Sequence, residues 1–214
     1  MKGIPAIFFL TSHFLDNGSL SLSNKISLIL EHLLVARGRS QTLNPRLIEL
    51  LGVSTDHFVT RIRSISRNES DLLDEIATLV GVDFTGYLAE KKPYLDTGQV
   101  FDLIKKGFYI GAHSVDHPYF KELPLQEQLN QALGSMEFLK DRFGLSYSLF
   151  AFPHSDRYIS GEFFRSTEAA FDLTFGTSGI ADDPIATNLQ RINFERSLHP
   201  ASQIMARQLF KKAI

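Results

Sequence analysis

The chain has no cysteine and no tryptophan among its 214 residues. Without cysteine there is no disulfide framework and no thiolate metal ligand, and the redox compartment is left open. Excess charge is also lacking: 22 Lys and Arg stand against 24 Asp and Glu, for a net charge of −2. Such a balance offers no basic surface for nucleic acid. No apolar run approaches the roughly eighteen residues of a membrane span. Near the amino terminus Ile7-Phe8-Phe9-Leu10 is too short for a signal-peptide core, and no small-residue cleavage site follows. The expectation from these absences is a cytoplasmic chain. What is plentiful is phenylalanine, with 18 copies, read as core filler. The length suits a single domain over 1–214 with a sizeable core.

Ile4 to Leu10 is a continuous apolar run, the pattern of a strand buried on both faces. Leu22, Ile26, Ile29, Leu30, Leu33 and Leu34 follow one face of a helix over 22–37. Further helices are expected at 44–51 and 70–80, the latter with Asp71, Asp74 and Glu75 near its start. The span of roughly 20–92 is rich in helix and poor in strand. It reads as a helical insertion, since no linker composition flanks it. From residue 97 the pattern alternates. A helix capped by Thr97 runs to Lys106 and is closed by Gly107, and a strand follows at 108–112. A helix spans 123–143 with Pro124 in its first turn, and a strand spans 148–152. A helix at 162–170, a strand at 173–176, a strand at 190–193 and a helix at 201–211 complete the series. This alternation predicts an α/β fold with a parallel sheet.

In such sheets the chemistry sits at the carboxyl ends of the strands. Three strand ends carry histidine. One runs into Thr11-Ser12-His13, one into Gly111-Ala112-His113-Ser114-Val115-Asp116-His117-Pro118, and one into Phe152-Pro153-His154-Ser155-Asp156. Two imidazoles with three residues between them, just past a strand, can face one cavity and hold a divalent metal. Small Gly111 and Ala112 let backbone pass close to that cavity. Ser114 can hydrogen-bond locally and hold the loop. Each histidine also has a plainer reading, as a loop residue or part of a turn.

The segments PAIFFL, KKGFYIGAHSVDHP and FAFPHSD, in that order, resemble the polysaccharide deacetylases of the NodB-homology type. More narrowly, they resemble the bacterial branch with a helical insertion. The resemblance covers residues 4–16 and 95–178. It implies a distorted (β/α) barrel and metal-dependent hydrolysis of N- or O-acetyl groups on an acetylated glycan. It makes His113 and His117 metal ligands, with Ser114 and Asp116 steadying the loop behind them. The metal implied is zinc, with cobalt, nickel, iron or manganese as alternatives. The family's third motif has its counterpart in Ala151-Phe152-Pro153-His154, where the backbone N–H after the proline helps bind the oxyanion. That gives His154 a catalytic place, with Phe152, Pro153 and His13 beside the substrate.

Departures from the family pattern matter as much. Its first motif, TFDDG, supplies the catalytic base and a metal-binding aspartate. That motif precedes the equivalent of Lys2-Gly3-Ile4-Pro5. The expectation is therefore that the first strand and both aspartates are missing from a chain beginning at Met1. The edge of the strand at 4–10 would then be covered by another segment or by a second copy of the chain. Asp182-Asp183 lies in a predicted loop and is not equated with the motif. Ala151 stands where the family has arginine. Ser197-Leu198-His199 differs in spacing from the family's Leu-x-His, so no acid role passes to His199. Asp156 and Asp116 become the candidate carboxylates, Asp156 as the base. Two readings follow: a deacetylase with impaired catalysis, and an inactive relative that binds a metal or glycan. A third is an unrelated α/β protein with a chance pair of histidines.

Overall fold

A computed structural model describes residues 3–38, 43–194 and 199–213. In chain order its strands and α-helices are β1 (Ile7–Leu10), α1 (Leu22–Gly38), α2 (Pro45–Leu51), α3 (Phe58–Arg63), α4 (Ser70–Val80), α5 (Phe84–Lys91) and α6 (Thr97–Lys105). Then come β2 (Tyr109–Ala112), α7 (Leu125–Phe143), β3 (Leu149–Ala151), α8 (Gly161–Thr167), β4 (Leu173–Gly176), β5 (Asn188–Gln190) and α9 (Ala201–Ala213). The chain divides into two compact units, one of residues 1–15 with 97–214 and one of residues 16–96. Ser197 and Leu198, considered above beside His199, lie outside the described residues.

The first unit is α/β. Its five strands are all parallel, in the order β1-β2-β3-β4-β5. Neighbours in sequence are neighbours in the sheet, the order of strands around an arc of a (β/α) barrel. The sheet is curled. In register, β1 and β4 stand three strand spacings apart, about 14 Å in a flat sheet. Yet the rings of Phe9 and Phe175 have centroids 5.2 Å apart. Gly111 makes room for this: a Cβ there would lie 2.6 Å from the Phe9 ring and 3.0 Å from the Leu149 carbonyl oxygen. β1 and β5 are the edges. Among the described residues no strand adds to the outer side of β1, and Phe8 is exposed there. Among the described residues no further strand supplies the cover expected from the sequence.

Phenylalanine does fill the core. Phe150 and Phe152 alternate along β3 and its end, so both side chains leave the same face. There they meet Phe120, with centroids 5.7 and 5.6 Å away. Phe152 also packs on Phe163 of α8, at 5.5 Å. All four are buried. α7 is the long amphipathic helix of this unit; its buried Ala132, Ser135, Met136, Leu139 and Phe143 share one face. It stops where Gly144 takes a left-handed conformation (φ 64°) that glycine adopts freely. Thr97 is the first residue of α6 and not its cap. Its hydroxyl accepts from the Arg142 guanidinium at 2.8 and 3.0 Å.

Residues 16–96 form the helical unit, with α1 to α5 and no strand among the described residues. Its own core joins Ile29 and Leu33 of α1, Leu47 of α2, Phe58 and Ile62 of α3, and Leu73 and Ile76 of α4. Its two ends are tied together. The Asp16 N–H donates to the Leu95 carbonyl at 3.0 Å. Asn17 and Tyr94 exchange a pair of bonds, side chain to backbone, at 2.9 and 2.8 Å. α3 and α5 were not anticipated from the sequence, and β5 lies two to three residues earlier than expected.

Candidate active site

The carboxyl ends of β2, β3, β4 and β5 open into a cavity of about 680 Å³. Its lining includes His113, His117, Tyr119, Phe152, His154, Thr177 and Arg191. His113 follows β2 directly, where its N–H donates to the Leu10 carbonyl at 2.8 Å and extends the β1–β2 ladder. The ring Nδ1 lies 2.7 Å from the Ala151 carbonyl oxygen. A carbonyl can only accept, so the proton sits on Nδ1, and Nε2 of the neutral ring keeps its lone pair. Burial holds the His113 pKa at about 3, helped by the positive potential of His117, Arg191 and His154 and opposed by the Ala151 hydrogen bond. Burial also lowers the His117 pKa, against the pull of Asp116. Both rings are thus favoured in the neutral form that binds metals.

The three histidines are contiguous. Ring centroids are 4.9 Å apart for His113 and His117, and 4.5 Å for His117 and His154. His154 in turn stacks on Tyr119, at 3.7 Å with planes 10° apart. Four residues of these loops hold left-handed backbone: Ser114 (φ 68°), His117 (φ 65°), His154 (φ 57°) and Tyr158 (φ 72°). For residues other than glycine this costs about 1–3 kcal/mol each, and such strain gathers at functional sites. Local bonds offset it. The Ser114 hydroxyl accepts the His117 N–H at 2.9 Å, and the Gln131 side-chain carbonyl accepts the N–H groups of Val115 and Asp116 at 3.0 and 3.3 Å. Ser114 therefore sits where the resemblance placed it, behind the loop. Asp116 is reached through its backbone by Gln131 of α7.

Other residues singled out from the sequence are placed differently. His13 is exposed; its N–H donates to the Val115 carbonyl at 2.9 Å, and it does not line the cavity. Phe152 lines the cavity while Pro153 is buried beside it. Asp156 does not line the cavity. Its oxygens accept from the Thr177 N–H at 3.1 Å, Asn188 at 3.0 Å and Gln190 at 2.6 Å. Partial burial pushes its pKa up, but these bonds outweigh that and the net shift is downward. No Asp or Glu lines the cavity among the described residues.

Arg191 and Tyr119 were not foreseen. Arg191 follows β5 directly. Its guanidinium donates to the carbonyls of Gly176 at 3.0 Å and Phe152 at 3.1 Å, and lies 5.7 Å from the centre of the Phe9 ring. It thereby gathers the ends of β3 and β4 beside the cavity. A signal existed, since Arg191 is the only arginine within the strand expected at 190–193. The donor set fits a divalent ion as two neutral imidazoles, His113 and His117. Among the described residues no group of three or more His, Cys, Asp or Glu surrounds a common point.

Comparison with known proteins adds the following. A polysaccharide deacetylase family model matches residues 71–168. No curated protein matches the sequence. Among solved structures, the chain is similar to IcaB from Ammonifex degensii at 18% identity and a TM-score of 0.40, covering 54% of this chain and 52% of that one. It thus spans about half the length of that relative. The deacetylase PplD of Streptococcus pyogenes, solved in complex with acetate, shares 16% identity with a TM-score of 0.42, covering 88% of this chain and 91% of that one. A polysaccharide deacetylase from Bacillus cereus shares 12% with a TM-score of 0.45, covering 96% and 68%. No helix among the described residues is long and apolar enough to cross a membrane. Residues 71–168, which hold His113, His117 and His154, are thus similar to the polysaccharide deacetylase family.

Proposed function

We propose that this chain removes N- or O-acetyl groups from a glycan in a metal-dependent hydrolysis centred on His113 and His117. The observation that carries the reading is their convergence, with ring centroids 4.9 Å apart in one cavity beyond the strand ends. The family match over the same residues supports it. A divalent metal, zinc being the first choice, when bound there lowers the pKa of its water and polarises the acetyl carbonyl. Everything else is the work of the chain's own residues. His113 and His117 present neutral nitrogens, the first oriented by the Ala151 carbonyl. Tyr119 and His154 form a stacked wall against which a sugar ring can lie. Arg191 supplies positive potential toward an acetyl oxygen as negative charge develops on it. His154, next to His117, is the imidazole placed to carry a proton between water and leaving group.

One observation favours a second reading, a glycan- or metal-binding protein with weak turnover. No carboxylate lines the cavity among the described residues, and a positioned base is worth about 10²–10⁴-fold in rate. Acetate release from acetylated chito-oligosaccharides and acetylated xylan, with added zinc, cobalt or nickel, separates the two. Metal-dependent release that is lost in His113→Ala supports the hydrolase. Absence of release together with retained binding of the same oligosaccharide supports the binding protein.

A further inference from the structure

Two carboxylates behind the cavity wall share the same pair of amide donors. Asn188 Nδ2 donates to Asp156 Oδ2 and to Asp183 Oδ2, both at 3.0 Å. Gln190 Nε2 donates to the same two oxygens, at 2.6 and 2.7 Å. The cluster looks at first like a cation site, but the amides are turned the wrong way for one. Gln190 Oε1 accepts the Ser178 backbone N–H at 2.6 Å, and Asn188 Oδ1 bonds the Thr174 hydroxyl at 2.9 Å. A backbone N–H can only donate, so the Gln190 amide group must face the carboxylates with its NH₂. The cluster is a closed lattice of donors and acceptors.

That lattice joins the loops that follow β3, β4 and β5. Asp156 lies two residues beyond His154. Its Oδ1 accepts the N–H of Thr177, and the Thr177 hydroxyl donates to the His154 carbonyl at 3.3 Å. Its Oδ2 takes Gln190, the residue before Arg191. Gly176 completes the fit, because any side-chain carbon there would strike Asp156 Oδ2 and Gln190 Nε2. One carboxylate is thus tied, through Thr177, to the backbone carbonyl of His154 and, through Gln190, to the residue before Arg191, so it bears on the backbone that carries both side chains.

We infer that Asp156, paired with Asp183 across Asn188 and Gln190, is a positioning residue that sets His154 and Arg191 in the cavity, and is not the base of the reaction. Its oxygens are occupied by three donors and do not reach the cavity, so it has no route to a water there. Asp156→Asn keeps the volume but replaces one acceptor oxygen with an NH₂ facing donors, so one partner loses its bond. The inference rests on the proposed hydrolysis only where activity is measured.

The test uses the full isotope-labelled chain and two readouts. The first is the NMR spectrum of imidazole and arginine Nε–H signals in the parent, Asp156→Asn and Gln190→Leu, with His32 and His57 of the helical unit as internal references. Gly176→Ala presses on the same lattice from another side and serves if either variant fails to fold. Displacement of the His154 and Arg191 signals, with His32 and His57 unmoved, is the expected result. Unmoved His154 and Arg191 signals in folded variants overturn the inference. The second readout is acetate release against pH. A fall in kcat of about 10²-fold at every pH, with the shape of the profile kept, is expected of misplacement. Loss of the acidic limb in Asp156→Asn alone makes Asp156 the base and also overturns it. If the parent releases no acetate, the proposed hydrolysis fails while the NMR result still decides the inference.

Discussion

His113 shows how a single residue links burial, chemistry and stability. Its folded pKa of about 3 lies well below the ordinary histidine value of 6.5. The unfolded chain therefore binds the proton first, and stability falls as pH drops below about 6.5 and continues to fall toward the folded pKa. Between pH 7 and pH 5 this group alone removes roughly 2 kcal/mol from the metal-free chain. Urea unfolding at the two pH values, in parent and His113→Asn, checks it: the variant is expected to lose less stability on acidification. Gly111 makes a second residue-scale case. Gly111→Ala drives a methyl group against the Phe9 ring and the Leu149 carbonyl. The expected loss is about 1–3 kcal/mol in urea midpoint measurements, the range for overpacking. The sequence singled out Gly111 for closeness to the site, but the neighbour that needs the space is Phe9. The proximity of His113 and His117 was legible because both sit on one short loop. The bonding of Asp156 was not legible, because a carboxylate near a strand end reads alike whether it faces the cavity or three hydrogen-bond donors. Tyr119 shares the loop of His117, and Arg191 directly follows β5; neither residue type on its own marked the cavity.

Among elements, long and amphipathic ones were legible, and short or polar ones were not. α1, α4 and α7 carry regular apolar spacing and were anticipated within one or two residues at most ends. α3 is six residues long, too short for two turns of pattern. α5 buries none of its residues, so it has no stripe to read; it starts where the Asp83 side chain accepts the Gly86 N–H at 2.9 Å. β5 was displaced because Asn188 looks like a loop residue, whereas its polarity serves the lattice with Asp156 and Asp183. The clasp closing the helical unit allows a prediction at this scale. Tyr94 Oη accepts from the Ser21 N–H at 2.9 Å and from Asn24 Nδ2 at 2.7 Å. Tyr94→Phe leaves both donors without that oxygen. It should cost about 1–3 kcal/mol, seen as a lower denaturant midpoint for amides of residues 16–96 in hydrogen exchange. Ser160 caps α8 by accepting the Phe163 N–H at 3.3 Å. Ser160→Ala is expected to cost about 1 kcal/mol by thermal unfolding.

For the molecule as a whole, the parallel α/β sheet was legible from the alternation of strand and helix after residue 97. Its curl followed from the distorted barrel that the resemblance implies, whereas the contacts that carry it, such as Phe9 with Phe175 across three strand spacings, were not legible. The ends of β2, β3, β4 and β5 surround one cavity, lined by the His113 and His117 imidazoles. That arrangement is the centre of the proposed chemistry, and with two protein ligands the site is expected to bind more weakly than one with three. Equilibrium dialysis of the full chain against zinc, with the bound metal counted by elemental analysis, tests it most directly. The parent should take up close to one zinc per chain, and His113→Ala and His117→Ala should fall to background while remaining folded. Equal zinc content in the parent and both variants would contradict the assignment of His113 and His117 as the metal's ligands.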